Sequence, residues 1–283
     1  VSLAALALAA AVQWLPVGAK QSLVCELHQA QQCIAQLPSE LRQAFYQAEP
    51  DFPESLGMRQ AVSYVFDHPE LVGVVLLANP HQNQRFSQFL HSGWHNYQVE
   101  NEAQLVRLHE LGHLHAQAIP EQWLPLPEQI STHDWQAKRY RQEVYADLYL
   151  AWKMAAIEAS WSSIQAQINR RNLAMMSRKR DLTHWTVPYL ALVVEQFTAQ
   201  QVASWPYDQF VQKVMQSAAP LQGLQLNELA FLFRAEFSGK TPKQSNQYLS
   251  WRRKEFGEYV APTITALMGA SAANQWLARR RFI

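Results

Sequence analysis

Two histidines one helical turn apart, with a glutamate directly after the first, constrain this chain more than any other feature. They stand in Val106-Arg107-Leu108-His109-Glu110-Leu111-Gly112-His113-Leu114-His115. On an α-helix, residues four apart lie on one face. His109 and His113 can therefore aim both imidazoles at one divalent ion, and Glu110 can reach a water beside it. Leu105, Leu108, Leu111 and Leu114 recur at threes, which predicts a helix over 101–118, buried along much of its length. Asn101 and Gln104 have the form of a capping-box pair at its start. Gly112 in mid-helix costs about 1 kcal/mol relative to alanine and marks a place where another group must approach closely. The rival reading of the same residues is a pair of core histidines hydrogen-bonded to a buried glutamate.

A catalytic ion needs three protein ligands and one exchangeable position. Ala116 and Ile119 stand where the metzincin pattern requires glycine and a third histidine, so that branch is excluded. Downstream, Gln142-Glu143-Val144-Tyr145-Ala146-Asp147 falls on a second predicted helix, after a proline-bearing loop. His-Glu-x-x-His followed by Glu-x-x-x-Asp resembles the gluzincin group of zincin metallopeptidases, over about 71–152. The resemblance implies Zn²⁺ held by His109, His113 and Glu143, with Glu110 as general base. It also implies that Asp147, on the same helical face as Glu143, orients a liganding histidine, His109 being its expected partner. Glu128, His133 and Asp134 stay open as other sources of the third ligand. Further on, Asp181-Leu182-Thr183-His184-Trp185-Thr186 is similar to the stretch that supplies a transition-state histidine in thermolysin-like enzymes. His184, positioned by Asp181, is thus the second expected catalytic residue. Tyr145, Tyr149 and Tyr189 are alternatives for that role, and the competing reading of Asp181 and His184 is helix capping or packing.

The expected fold class is α+β: a predominantly helical zincin-like fold, with a small antiparallel sheet before the motif helix and an all-helical C-terminal part. Val62, Tyr64 and Phe66 alternate, 71–78 is a short apolar β-branched run, and 85–90 and 95–100 complete three or four antiparallel strands. The segment 86–97 is the candidate border strand for an extended peptide substrate. Gly93, Trp94 and His95 are candidate lining residues. Residues 20–48 read as one or two helices and 139–170 as one long helix. Helices are further expected at 188–203, 207–217, 226–237, 242–257 and 262–281.

Three regions follow: 1–19 as the remnant of a signal peptide or an anchor, 20–170 as the catalytic domain, and 171–283 as a helical subdomain completing the cleft. Val1 to Val12 has the apolar character of a leader, and Val17-Gly18-Ala19 offers small residues for its removal. The expected location is therefore the periplasm or the exterior, with membrane anchorage if the leader is retained. Cys25 and Cys33 suit a disulfide in such a compartment, provided the chain breaks between 26 and 32, because eight helical residues span about 12 Å.

A net charge of +1 gives no electrostatic case for nucleic-acid binding. Arg252-Arg253-Lys254 and Arg279-Arg280-Arg281 read first as solvated faces, with contact to an anionic membrane surface as the sharper alternative. The expected partner is a peptide or protein substrate. The competing functions are a zinc hydrolase of a non-peptide amide or ester, a non-catalytic zincin-like binding protein, and a metal-free helical scaffold.

Overall fold

Leu71-Val-Gly-Val-Val-Leu-Leu77 is apolar at every position except its glycine and is buried throughout, as the inner strand of a sheet must be. The computed structural model describes residues 12–57, 59–78, 85–90, 93–117, 134–177, 182–218, 223–237 and 251–283. They form a predominantly helical α+β fold that divides into two compact units. One comprises Val1–Gln82 and Ala103–Ile119; the other comprises Asn83–Glu102 and Pro120–Ile283.

The first unit is built on a four-stranded sheet: β1 (Val12–Val17), β2 (Lys20–Glu26), β3 (Ala61–Val65) and β4 (Leu71–Leu77), in the order β1-β2-β4-β3. β1 with β2 and β3 with β4 are antiparallel, but β2 runs parallel to β4, so the sheet is mixed. Residues 20–26 are therefore a strand and not the start of a helix. The run Leu23-Val24-Cys25 is contiguous and buried, and it fits an inner strand better than one helical stripe. Val17 and Lys20 pair across a turn at Gly18, whose φ of 61° suits glycine. Residues 1–11 of the expected leader lie outside the described residues.

α1 (Ala30–Ile34) and α2 (Ser39–Ala48) follow β2 and cover one side of the sheet, where Leu23, Cys25, Ile34, Phe45, Val74 and Leu76 form the core. A 3-10 turn at Leu27–Gln29 supplies the break that brings the Cys25 and Cys33 α-carbons to 5.7 Å, and the disulfide is formed. α3 (Glu102–Ala116) carries the two-histidine motif. Its Leu114 lies against Gly73 of β4 so closely that a β-carbon there would stand 2.7 Å from the leucine methyl. Asn101 enters α3 with φ 53° and not with the extended backbone of an N-cap. Asparagine is one of the few residues that tolerates this conformation at low cost.

The second unit contains a hairpin, β5 (Arg85–Leu90) and β6 (Gly93–Gln98), and eight helices among its described residues. These are α4 (Asp134–Ala155), α5 (Ser162–Met176), α6 (Val187–Gln196), α7 (Ala199–Ala203), α8 (Tyr207–Ser217), α9 (Gly223–Phe237), α10 (Arg252–Met268) and α11 (Ala270–Arg279). The expected long helix over 139–170 is two helices. Glu158 accepts hydrogen bonds from the Ser162 hydroxyl and the Ser163 backbone N–H, so a new N-terminus forms there. The expected domain boundary at 170/171 falls inside α5. Pro262 lies within α10, and the helical run is interrupted instead at Gly269, with φ 79°.

Three of the C-terminal arginines hold carboxylates. Arg252 donates to Glu228 at 2.7 Å and Glu255 at 2.6 Å, while Arg253 and Arg280 share Glu236. No described helix is long and apolar enough to cross a membrane.

Candidate metal centre

His109 and His113 sit one turn apart on α3, with ring centroids 4.6 Å apart and planes at 80°. His109 is buried and His113 is half-buried. Glu143 comes from α4 and is 4% exposed. One ligand atom from each of the three lies within 4.8 Å of the others, so the cluster can hold a metal ion. Two imidazoles and a carboxylate are a borderline donor set suited to a divalent transition ion. Bonds of about 2.1 Å place tetrahedral ligand atoms about 3.4 Å apart, so ligation needs at most about 1.4 Å of closure by side-chain rotation. The three residues therefore fit an ion of that class, and the arrangement is compatible with a zincin.

The Glu143 carboxylate is held from two sides. Nη2 of Arg171 lies 3.4 Å from Oε2, and Nε2 of His184 lies 3.2 Å from Oε1. Arg171 projects from α5 and is itself buried. It grips Asp147 in a fork, Nε donating to Oδ2 at 2.9 Å and Nη2 to Oδ1 at 3.0 Å. Asp147, 1% exposed, also accepts from Gln167 Nε2 at 2.8 Å and from the Thr186 hydroxyl. A buried charge is tolerated only when paired and hydrogen-bonded. Here two carboxylates share one guanidinium, and the charge of Arg170 also acts on Asp147.

Glu110 follows His109 on α3 and is half-buried. His184 ends a 3-10 turn at Leu182–His184 that leads towards α6, and Thr183 Oγ1 stands 3.2 Å from its Nδ1. The turn is pinned by its neighbour Trp185, fully buried, whose Nε1 donates to Asn172 of α5 at 2.9 Å. Tyr145, Tyr149 and Tyr189 are all buried, and burial pushes each phenol up to about 12. Tyr140, one turn before Glu143, is raised further by burial and by the phenols of Tyr189 and Tyr259. These groups are hydrogen-bond donors at neutral pH and not bases. Glu128, His133, Asp181 and the side chain of Asp134 lie outside the described residues.

Sequence reading missed Arg171, Gln167 and Thr186. A signal existed for the first two. Ser163, Gln167 and Arg171 recur at fours, and a polar stripe at helical spacing on a buried helix needs partners. Reading one helix through 139–170 hid that stripe by ending it just before Arg171. No family model, curated protein or solved structure matches the chain.

Proposed function

We propose that the chain is a zinc-dependent metallopeptidase. The observation that carries this is the convergence of His109, His113 and Glu143, with a carboxylate, Glu110, directly adjoining one ligand. When bound, zinc supplies Lewis-acid polarisation of the scissile carbonyl and makes water acidic enough to lose a proton near neutral pH. Glu110 accepts that proton and returns it to the leaving amine. His184, beside the Glu143 carboxylate and half-exposed, donates a hydrogen bond to the oxygen on which negative charge develops. The buried Arg171–Asp147 pair keeps Glu143 in place while the other groups act. A peptide or protein is the proposed substrate. The Cys25–Cys33 disulfide supports an oxidising, exported location, periplasmic or extracellular.

The deciding experiment pairs metal analysis with turnover of a casein-type substrate. Wild-type protein is expected to hold one zinc per chain and to cleave the substrate. Glu110→Gln is expected to keep the zinc and lose at least about 100-fold in kcat, the scale set by removing a general base. Peptidase activity that survives this change contradicts the assignment. Ester and cell-wall amide substrates in the same panel separate a peptidase from another hydrolase, and zinc without turnover on any of them indicates a binding protein.

A further inference from the structure

We infer that Arg171 is a positioning residue for the metal centre: it holds Oε2 of Glu143 so that the carboxylate gives the ion Oε1 alone, in exchange for that oxygen's contact with His184. The inference rests on the zinc reading above and deepens it.

The geometry is a relay with a fixed end. Gln167 and Thr186 fasten Asp147, and Asp147 takes two donors of Arg171 at 2.9 and 3.0 Å. The same Nη2 then leans on Glu143 Oε2 at 3.4 Å, a longer contact than either of the first two. Arg171 is thus anchored on Asp147 and reaches Glu143 as a second, weaker contact. A pair needed only to neutralise Asp147 would be complete without Glu143. The extra contact falls on one of the two oxygens by which a glutamate binds metal; the other, Oε1, meets His184 Nε2 at 3.2 Å, and that half-exposed ring can give way to an ion where the buried, anchored Arg171 cannot. A carboxylate free at both oxygens can chelate with both; one held at Oε2 offers a single point, which leaves coordination room for water and substrate. Groups behind a ligand commonly tune metal affinity by 10–100-fold. Lysine cannot replace this arrangement, because a point charge cannot fork to Asp147 and reach Glu143 together.

The test uses the full chain stripped of metal. Zn²⁺ affinity is measured against a chromophoric chelator, and Co²⁺ loading is followed by its visible absorption. Arg171→Met and Arg171→Lys are each expected to weaken Zn²⁺ binding at least tenfold. They are also expected to shift the Co²⁺ spectrum towards the weaker bands of higher coordination, as both oxygens of Glu143 reach the ion. A purely structural role leaves the Co²⁺ spectrum of the folded fraction as in wild type. If folded Arg171→Met binds Zn²⁺ as tightly as wild type with an unchanged Co²⁺ spectrum, the inference is overturned while the zinc reading stands. Where Arg171→Met does not fold, Thr186→Val and Gln167→Leu loosen the anchor and keep every charge. These are expected to lower Zn²⁺ affinity several-fold with the same spectral shift, and wild-type values in both overturn the inference. A wild-type chain that takes up neither metal overturns both readings at once.

Discussion

Asp147 receives donors from Arg171 and Gln167 on α5 and from Thr186 just before α6, so one carboxylate ties three segments together. Removing it takes the acceptor of both short hydrogen bonds from a guanidinium that is 5% exposed, and leaves it the 3.4 Å contact with Glu143. Breaking one side of a buried ion pair costs about 3–5 kcal/mol, because the remaining charge cannot be rehydrated, and a 3.4 Å contact replaces little of two bonds near 3 Å. Asp147→Ala is therefore expected to lose that much stability, measured by denaturant unfolding followed through tryptophan fluorescence. A loss under about 1 kcal/mol would show that water reaches Arg171 after all. At this scale the legible part of the centre was what local spacing encodes. His109, Glu110 and His113 occupy one turn, and Glu143 and Asp147 another. Arg171 was not legible, because the partner of a buried carboxylate is fixed by which helix packs beside it and not by distance along the chain.

Gly73 shows the same dependence between elements. A β-carbon there would stand 2.0 Å from the Tyr64 carbonyl oxygen of the neighbouring strand and 2.7 Å from a methyl of Leu114 on α3. The first of these contacts is with backbone and cannot rotate away. Gly73→Ala is expected to destabilise the protein by at least the 1–3 kcal/mol typical of overpacking, seen as a lower thermal midpoint in circular dichroism. An unchanged midpoint would mean that β4 and α3 part easily. β4 itself was readable because its apolar run is continuous, and β5 began and ended where alternation placed it. β2 was misread because Leu23, Leu27 and Ile34 imitate helical spacing across what is a strand, a 3-10 turn and a short helix. The break between α4 and α5 depends on a carboxylate reaching forward to two serines, which hydrophobic periodicity does not record.

Across the whole molecule, buried phenols set the alkaline limit. Tyr149, Tyr189 and Tyr259 are pushed from the ordinary value of 10.0 up to about 12 by burial, and Tyr207 is raised well above it by the same cause. A group with a raised folded pKa retains its proton in the native state after the unfolded chain has lost it. Its contribution is fully present below pH 10 and is lost as pH rises towards 12. Unfolding free energy should therefore fall steeply across that window, with phenolate absorbance from these residues appearing together with loss of helix. Full phenolate absorbance near pH 10 in a chain that keeps its circular dichroism would refute this.

The α+β class and the helical C-terminal part were legible at this scale, since composition and period suffice for them. The location of the mixed sheet's first two strands was not.

α5 turns Gln167, Asn169, Arg171 and Asn172 inward, and Asn172 finds its acceptors and donor at Tyr259, Thr263 and Trp185, far along the chain. A chain cut before residue 251 would keep every donor that holds Asp147, all of them before residue 187, and would lose the acceptors that Asn172 takes from α10.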